Sequence, residues 1–206
     1  LLRAKSHTKK GKIEEAQKLY QMVLQAFPKN KRAQQGLAAL SSPKQSNDVQ
    51  GPPQEAINQL INLYNQGQLA AVIEQTTPLT EQYPEAFIVW NILGAANKGL
   101  GQLADASDAF TRATELNPNY ADGFNNLGVI LHDQGKFDEA LEAYNKAVSL
   151  KPDYVDAYFN MGVALKSKGK LDEAIASYTK ALEIKPDYAE AYNNMGNALQ
   201  EQGKLE

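Results

Sequence analysis

The chain of 206 residues contains no cysteine. Disulfides and thiolate zinc sites are therefore excluded, and nothing in the sequence requires an oxidising compartment. Histidine is almost as scarce: His7 and His132 stand far apart, so no resident metal is expected. Long apolar runs are missing as well. The opening residues "LLRAKSHTKK" place charge within five positions of their two leucines, and no later stretch reaches the roughly 18 apolar residues of a membrane span. A membrane partner is not expected, and a cytoplasmic location is. The sequence also lacks a phosphate loop, a pair of catalytic carboxylates and a serine or cysteine nucleophile arrangement. It is not expected to be an enzyme in itself or to hold a cofactor.

The rest of the composition is that of an ordinary folded protein, with 43% hydrophobic and 22% charged residues. The net charge of −3 conceals an asymmetry. Residues 1–40 hold nine Lys/Arg against two Glu, a balance of +7, which leaves −10 on the remainder. The run "KKGK" at 9–12 has no interleaved aromatics and an acidic array behind it, so it reads as a solvated face and no nucleic-acid partner is expected.

A period of 34 residues organises the chain. "NPNYADGFNNLG" begins at Asn117, "KPDYVDAYFNMG" at Lys151 and "KPDYAEAYNNMG" at Lys185. In this register Trp90, Phe124, Tyr158 and Tyr192 share one phase, each followed four residues later by Gly94, Gly128, Gly162 or Gly196. Gly101, Gly135 and Gly169 come next, then Ala106, Ala140 and Ala174, then Phe110, Tyr144 and Tyr178, then Ala113, Ala147 and Ala181, then Pro118, Pro152 and Pro186.

Each recurring residue has a physical task. An aromatic and a glycine at i, i+4 set a large side chain beside a bare spot on one helical face, where a second helix can approach closely. Ala140, Tyr144 and Ala147 supply the answering stripe. Gly135 and Gly169 suit the left-handed position just past a helix end. Asp138, Glu139, Asp172 and Glu173 favour the dipole of the helix that follows. Pro152 stops that helix, and Asp153 and Asp187, with Asp156 and Glu190 three residues on, have the spacing of capping boxes for the next. Tyr120, Tyr154 and Tyr188 are read as packing between repeats.

This signature resembles the tetratricopeptide repeat, through three complete units at 87–120, 121–154 and 155–188. The resemblance implies an all-α fold, a right-handed superhelical solenoid of antiparallel helix pairs whose concave face is lined by the first helix of each unit. A degenerate unit at 53–86 keeps Gly67 and Pro84 but has Ala56, Leu60, Val72 and Thr76 at the aromatic, glycine, alanine and second aromatic positions. Pro78 is expected to kink or divide its second helix, at about 3 kcal/mol, unless its environment adapts. Residues 1–40 match basic partial repeat helices through Gly11, Ala16, Tyr20 and Pro28, with 1–10 as a shortened first helix; the polar stretch 41–53 reads as a linker. Residues 189–206 supply a first helix, and the chain is expected to stop inside a repeat. The open ends, with Tyr192, Met195, Ala198 and Leu199 on an uncovered stripe, predict a homo-oligomer.

Function has to be sought on the inward side of the first helices, because the signature residues are core. Candidate contacts there are Asn91, Asn125, Asn126, Val129, His132, Phe159, Asn160, Lys166, Asn193, Asn194 and Asn197. Asn126, Asn160 and Asn194 recur at one phase, and a ladder of carboxamides offers a donor and an acceptor at each step to the backbone of an extended peptide. The ladder resembles that in the repeat region of O-linked N-acetylglucosamine transferases. The expected function is a scaffold that binds a peptide or protein segment. An alternative, by resemblance alone, is the recognition arm of a larger sulfotransferase or glycosyltransferase.

Overall fold

A computed structural model describes residues 4, 13–27, 30–41 and 51–203. The run at 9–12, most of the expected helix at 1–10, linker residues 42–50 and the end 204–206 lie outside the described residues. The chain forms two compact units, Leu1–Gln50 and Gly51–Glu206. All regular structure among the described residues is helical.

In the first unit, α1 (Ile13–Ala26) and α2 (Lys31–Ser41) pack on each other. Ala4, Ala16, Tyr20 and Ala33 are buried, with Leu19, Val23, Leu24 and Leu37 packed around them. Gly36 permits the close approach: a Cβ there would lie 2.4 Å from Cζ of Tyr20. Asn30 caps α2 by accepting the amide of Ala33 at 3.1 Å.

The described residues of the second unit form an array of nine helices. Its first helices are α3 (Gln54–Asn65), α5 (Phe87–Gly99), α7 (Ala121–Asp133), α9 (Val155–Ser167) and α11 (Ala189–Glu201). The second helices are α4 (Leu69–Gln82), α6 (Leu103–Leu116), α8 (Phe137–Leu150) and α10 (Leu171–Ile184). Each helix packs chiefly on its neighbours in the chain. This is an all-α helical repeat solenoid.

The turn within each pair is set by glycine. Gly135 adopts φ +76° and Gly169 φ +73°, values that side-chain-bearing residues rarely hold. Around Gly135 its own amide donates to His132 O at 2.8 Å and that of Lys136 to Leu131 O at 2.8 Å, closing α7 as a Schellman motif. Lys136 then starts α8, so the whole reversal takes three residues.

The bare spot on α5, α7 and α9 is filled by the aromatic of each one's own second helix. A Cβ on Gly94 would lie 2.8 Å from the ring of Phe110; on Gly128 and Gly162 it would lie 2.5 Å from the rings of Tyr144 and Tyr178. All three rings are buried. Burial pushes the Tyr178 hydroxyl up to about 12, with the Glu201 carboxylate adding to the effect. The degenerate unit reverses the volumes. Leu60 stands at the glycine position and Thr76 at the aromatic one, both buried, and the Thr76 hydroxyl is satisfied by Val72 O.

One expectation is settled and one is corrected. Pro78 does not divide its helix, for α4 runs unbroken from Leu69 to Gln82. Its buried face (Val72, Thr76 and Thr80) anchors both sides of the proline in the core, and the hydroxyls of Thr76, Thr77 and Thr80 all bond backbone carbonyls around it. Asp153 and Asp187 do not cap helices. The cap positions of α9 and α11 are Tyr154 and Tyr188, neither of which makes a side-chain capping bond; the aspartates lie one residue earlier and are exposed.

The volume exchange yields a test. Gly128→Ala drives a methyl into the Tyr144 ring and should lower stability by about 1–3 kcal/mol. Gly196→Ala occupies the same repeat position, where no described atom lies within 4 Å, and should raise stability by about 0.5–1 kcal/mol through helix propensity. Chemical denaturation of both variants is the check; changes of the same sign would show that ring-on-glycine packing does not govern this position.

Candidate functional site

Three of the first helices, α7, α9 and α11, start at a tyrosine, Tyr120, Tyr154 and Tyr188. The ring of Tyr120, at the start of α7, lies 5.1 Å from that of Phe87 on α5, and the ring of Tyr188, at the start of α11, lies 5.1 Å from that of Phe159 on α9. Tyr154 stands in the corresponding place near the Asp122 carboxylate; burial first, and that carboxylate second, raise its hydroxyl above the ordinary tyrosine range. Tyr120 and Tyr188 thus each open one first helix while resting on the previous one.

Across this wall run two amide rungs. Asn126 Nδ2 donates to Asn91 Oδ1 at 3.3 Å, tying α7 to α5, and Asn160 Nδ2 donates to Asn125 Oδ1 at 3.0 Å, tying α9 to α7. The spacing is 35 residues, one repeat plus one. Asn91, Asn126 and Asn160 are half-buried, whereas Asn125 is 7% exposed. A third rung is absent for a local reason: the residue 35 before Asn194 is Phe159, which offers no acceptor. The Asn194 amide turns instead to its own helix and donates to Glu190 O at 3.0 Å.

The other candidates fall into different settings. Asn193 and Asn197 are exposed on α11, and Val129 is half-buried on α7. Phe159 is engaged in the core, 5.9 Å from the Tyr178 ring. Lys166 pairs with Glu201 at 2.8 Å. His132 joins a cluster that the sequence did not reveal, its Nε2 3.3 Å from Ser167 Oγ and its Nδ1 3.5 Å from Asp133 Oδ1. The order of groups is that of a serine hydrolase triad, but Ser167 Oγ donates to Val163 O at 3.1 Å, so its proton is held by its own helix rather than by the imidazole. No group of three or more potential metal ligands occurs among the described residues. No described helix is long and apolar enough to cross a membrane.

Sequence profiles of the TPR repeat match residues 130–169 and 164–203, and profiles of the tetratricopeptide repeat match 109–142, 88–120 and, in the first unit, 1–30. The chain belongs to the tetratricopeptide-repeat family. Among solved tetratricopeptide-repeat structures it is similar to MamA, with 29% identity over 91% of this chain and 96% of that one and a TM-score of 0.59. It is also similar to the first such domain of Spaghetti (RPAP3), solved bound to the HSP90 peptide SRMEEVD, with 27% identity, 57% of this chain and 93% of that one, and a TM-score of 0.56. YrrB, described as a TPR protein with an unusual peptide-binding site, shares the fold at 24% identity, 78% of this chain and 81% of that one, and a TM-score of 0.65. No curated protein matches the chain.

The rungs differ in what they leave behind when cut. Asn160→Ala removes the donor to a buried carbonyl on Asn125 and should cost about 1–3 kcal/mol. Asn194→Ala, at the same repeat position, removes only a bond within an outer helix and should change stability by less than about 0.5 kcal/mol. Urea denaturation of the pair measures the difference, and equal losses would mean that the Asn125–Asn160 rung carries no interhelix bond.

Proposed function

We propose that the chain is a non-catalytic scaffold that holds an extended segment of a peptide or protein partner along its first helices, with the carboxamides of Asn126 and Asn160 gripping the partner's backbone. The observation that carries this reading is the pair of rungs, which fix both side chains before anything binds. Each rung uses one of the two N–H groups of its donor amide, so Asn126 and Asn160 keep a second N–H and a carbonyl oxygen for a ligand. An extended backbone presents a donor and an acceptor at every residue. Amides held this way lose little rotamer freedom on binding and need no particular partner side chain. Exposed Asn193 and Asn197 extend the polar surface on α11, and Val129, His132 and Lys166 line the same course. The likeness to a peptide-bound relative supports this use of the fold.

Asn126→Ala separates gripping from folding, because its rung partner Asn91 is half-buried and reaches solvent. Binding of extended peptides, followed by calorimetry, should weaken by about 1 kcal/mol per lost hydrogen bond while the fold persists. Affinities unchanged across a peptide set would remove the ladder from the binding surface.

A second reading, association of copies of the chain, is supported by Tyr192, which is 50% exposed on α11, and by the opposed charges of residues 1–40 and the rest. Sedimentation equilibrium should then show mass rising with concentration, and Tyr192→Glu should suppress the rise. A monomer at hundreds of micromolar would dismiss it.

A further inference from the structure

A pocket of about 340 Å³ opens among α4, α5 and α6. Trp90 and Leu93 of α5 form one wall, and Asp105 and Asp108, one turn apart on α6, stand at its edge. The Trp90 indole N–H donates to Pro84 O at 3.0 Å, which fixes the plane of the ring. Asn97 lines the interior, 4% exposed, with its amide turned back onto Leu93 O at 3.0 Å.

The neighbouring repeats carry different residues at several of the positions that line this pocket. At the position of Asn97 the next two units have Leu131 and Leu165, both buried. At the position of Gln102 they have Lys136 and Lys170, and at that of Asp105 they have Glu139 and Glu173. Lys170 Nζ lies 2.9 Å from Glu173, so that unit carries its own cation. In unit 87–120, Gln102 supplies none, and neither Asp105 nor Asp108 forms an ion pair with a described residue; the nearby Arg112 is held by Glu85 and Glu115. Two repeat-specific residues, Asn97 and Gln102, coincide with an open cavity and an uncompensated negative edge.

We propose that this pocket takes an arginine side chain of a bound protein segment, its guanidinium lying over the Trp90 ring and its N–H groups reaching Asp105 and Asp108. Guanidinium suits the site better than ammonium, because it is planar, weakly hydrated, stacks on indole and meets carboxylates with two parallel bonds. The pocket shares no residue with the asparagine ladder. It is a separate site, which reads a side chain where the ladder reads backbone.

Trp90 is the only tryptophan, so the intrinsic fluorescence of the full chain reports on the pocket directly. Titration with N-acetyl-arginine amide should give a saturable change in emission that weakens as salt is raised. N-acetyl-citrulline amide, of the same shape without the charge, should give none. Affinity for the arginine probe should fall at least tenfold in D105N/D108N and likewise in Q102K, which restores the residue of the neighbouring repeats and places a cation beside Asp105. Asn126→Ala should leave the titration unaltered, so a failure of the ladder and a failure of the pocket are told apart. Equal responses to arginine and citrulline probes, no saturation, or wild-type affinity in either charge variant would overturn the proposal. So would tighter binding of free arginine than of the capped probe, which would assign the pocket to an amino-acid ligand. Thermal melts of the variants ensure that a lost signal is read on folded protein; the charge changes, at 102, 105 and 108, are all at exposed positions.

Discussion

Everything in the array depends on one contact, an aromatic ring laid on a glycine. Phe110, Tyr144 and Tyr178 each occupy the volume that a side chain would otherwise take on the facing helix. That contact sets how closely a pair packs, and so how the next pair can stack on it. The three-residue turn at Gly135 serves the same end, because a longer or looser reversal would not deliver the ring to its seat. The degenerate unit shows that the constraint is one of summed volume rather than of residue type: Leu60 opposite Thr76 fills the same space with the large and small partners exchanged.

Most of the fold was legible because its residues act locally and in register. The 34-residue period, the glycines past the helix ends and the acidic first turns each determine backbone geometry within a few positions, so their meaning survives translation into structure. One reading failed, and one was settled against division of the helix, where local chemistry met tertiary packing. Asp153 has the composition of a cap, yet the cap position falls one residue later, at Tyr154, which is half-buried. Pro78 lacks an amide, yet the buried residues on either side keep α4 continuous.

The site was legible in residue type and illegible in pairing. Recurrence at 34 residues singled out Asn126, Asn160 and Asn194 as a ladder of equals. The bonds run instead between residues 35 apart, so the equality breaks wherever the residue one step off is not an acceptor, as at Phe159. The doublets at 91 with 126 and at 125 with 160 are visible in the sequence once the successive first helices are taken to slip by one position. The meeting of Ser167 with His132 follows the same offset and had no counterpart in the repeat signature.

The pattern of contacts also bears on how the chain comes to be folded. Its helix-to-helix bonds connect residues no more than about one repeat apart: 16 for Gln59 to Gln75, 31 for Gln134 to Leu103, 35 for each amide rung. No described core contact has to wait for a distant part of the sequence. Low contact order of this kind favours rapid folding, and during synthesis, which proceeds from the N-terminus, each glycine can receive its ring as soon as one further helix has emerged. An array assembled in that order buries each new apolar face almost as it is made, which limits the time that nearly identical repeats have to pair with the wrong neighbour.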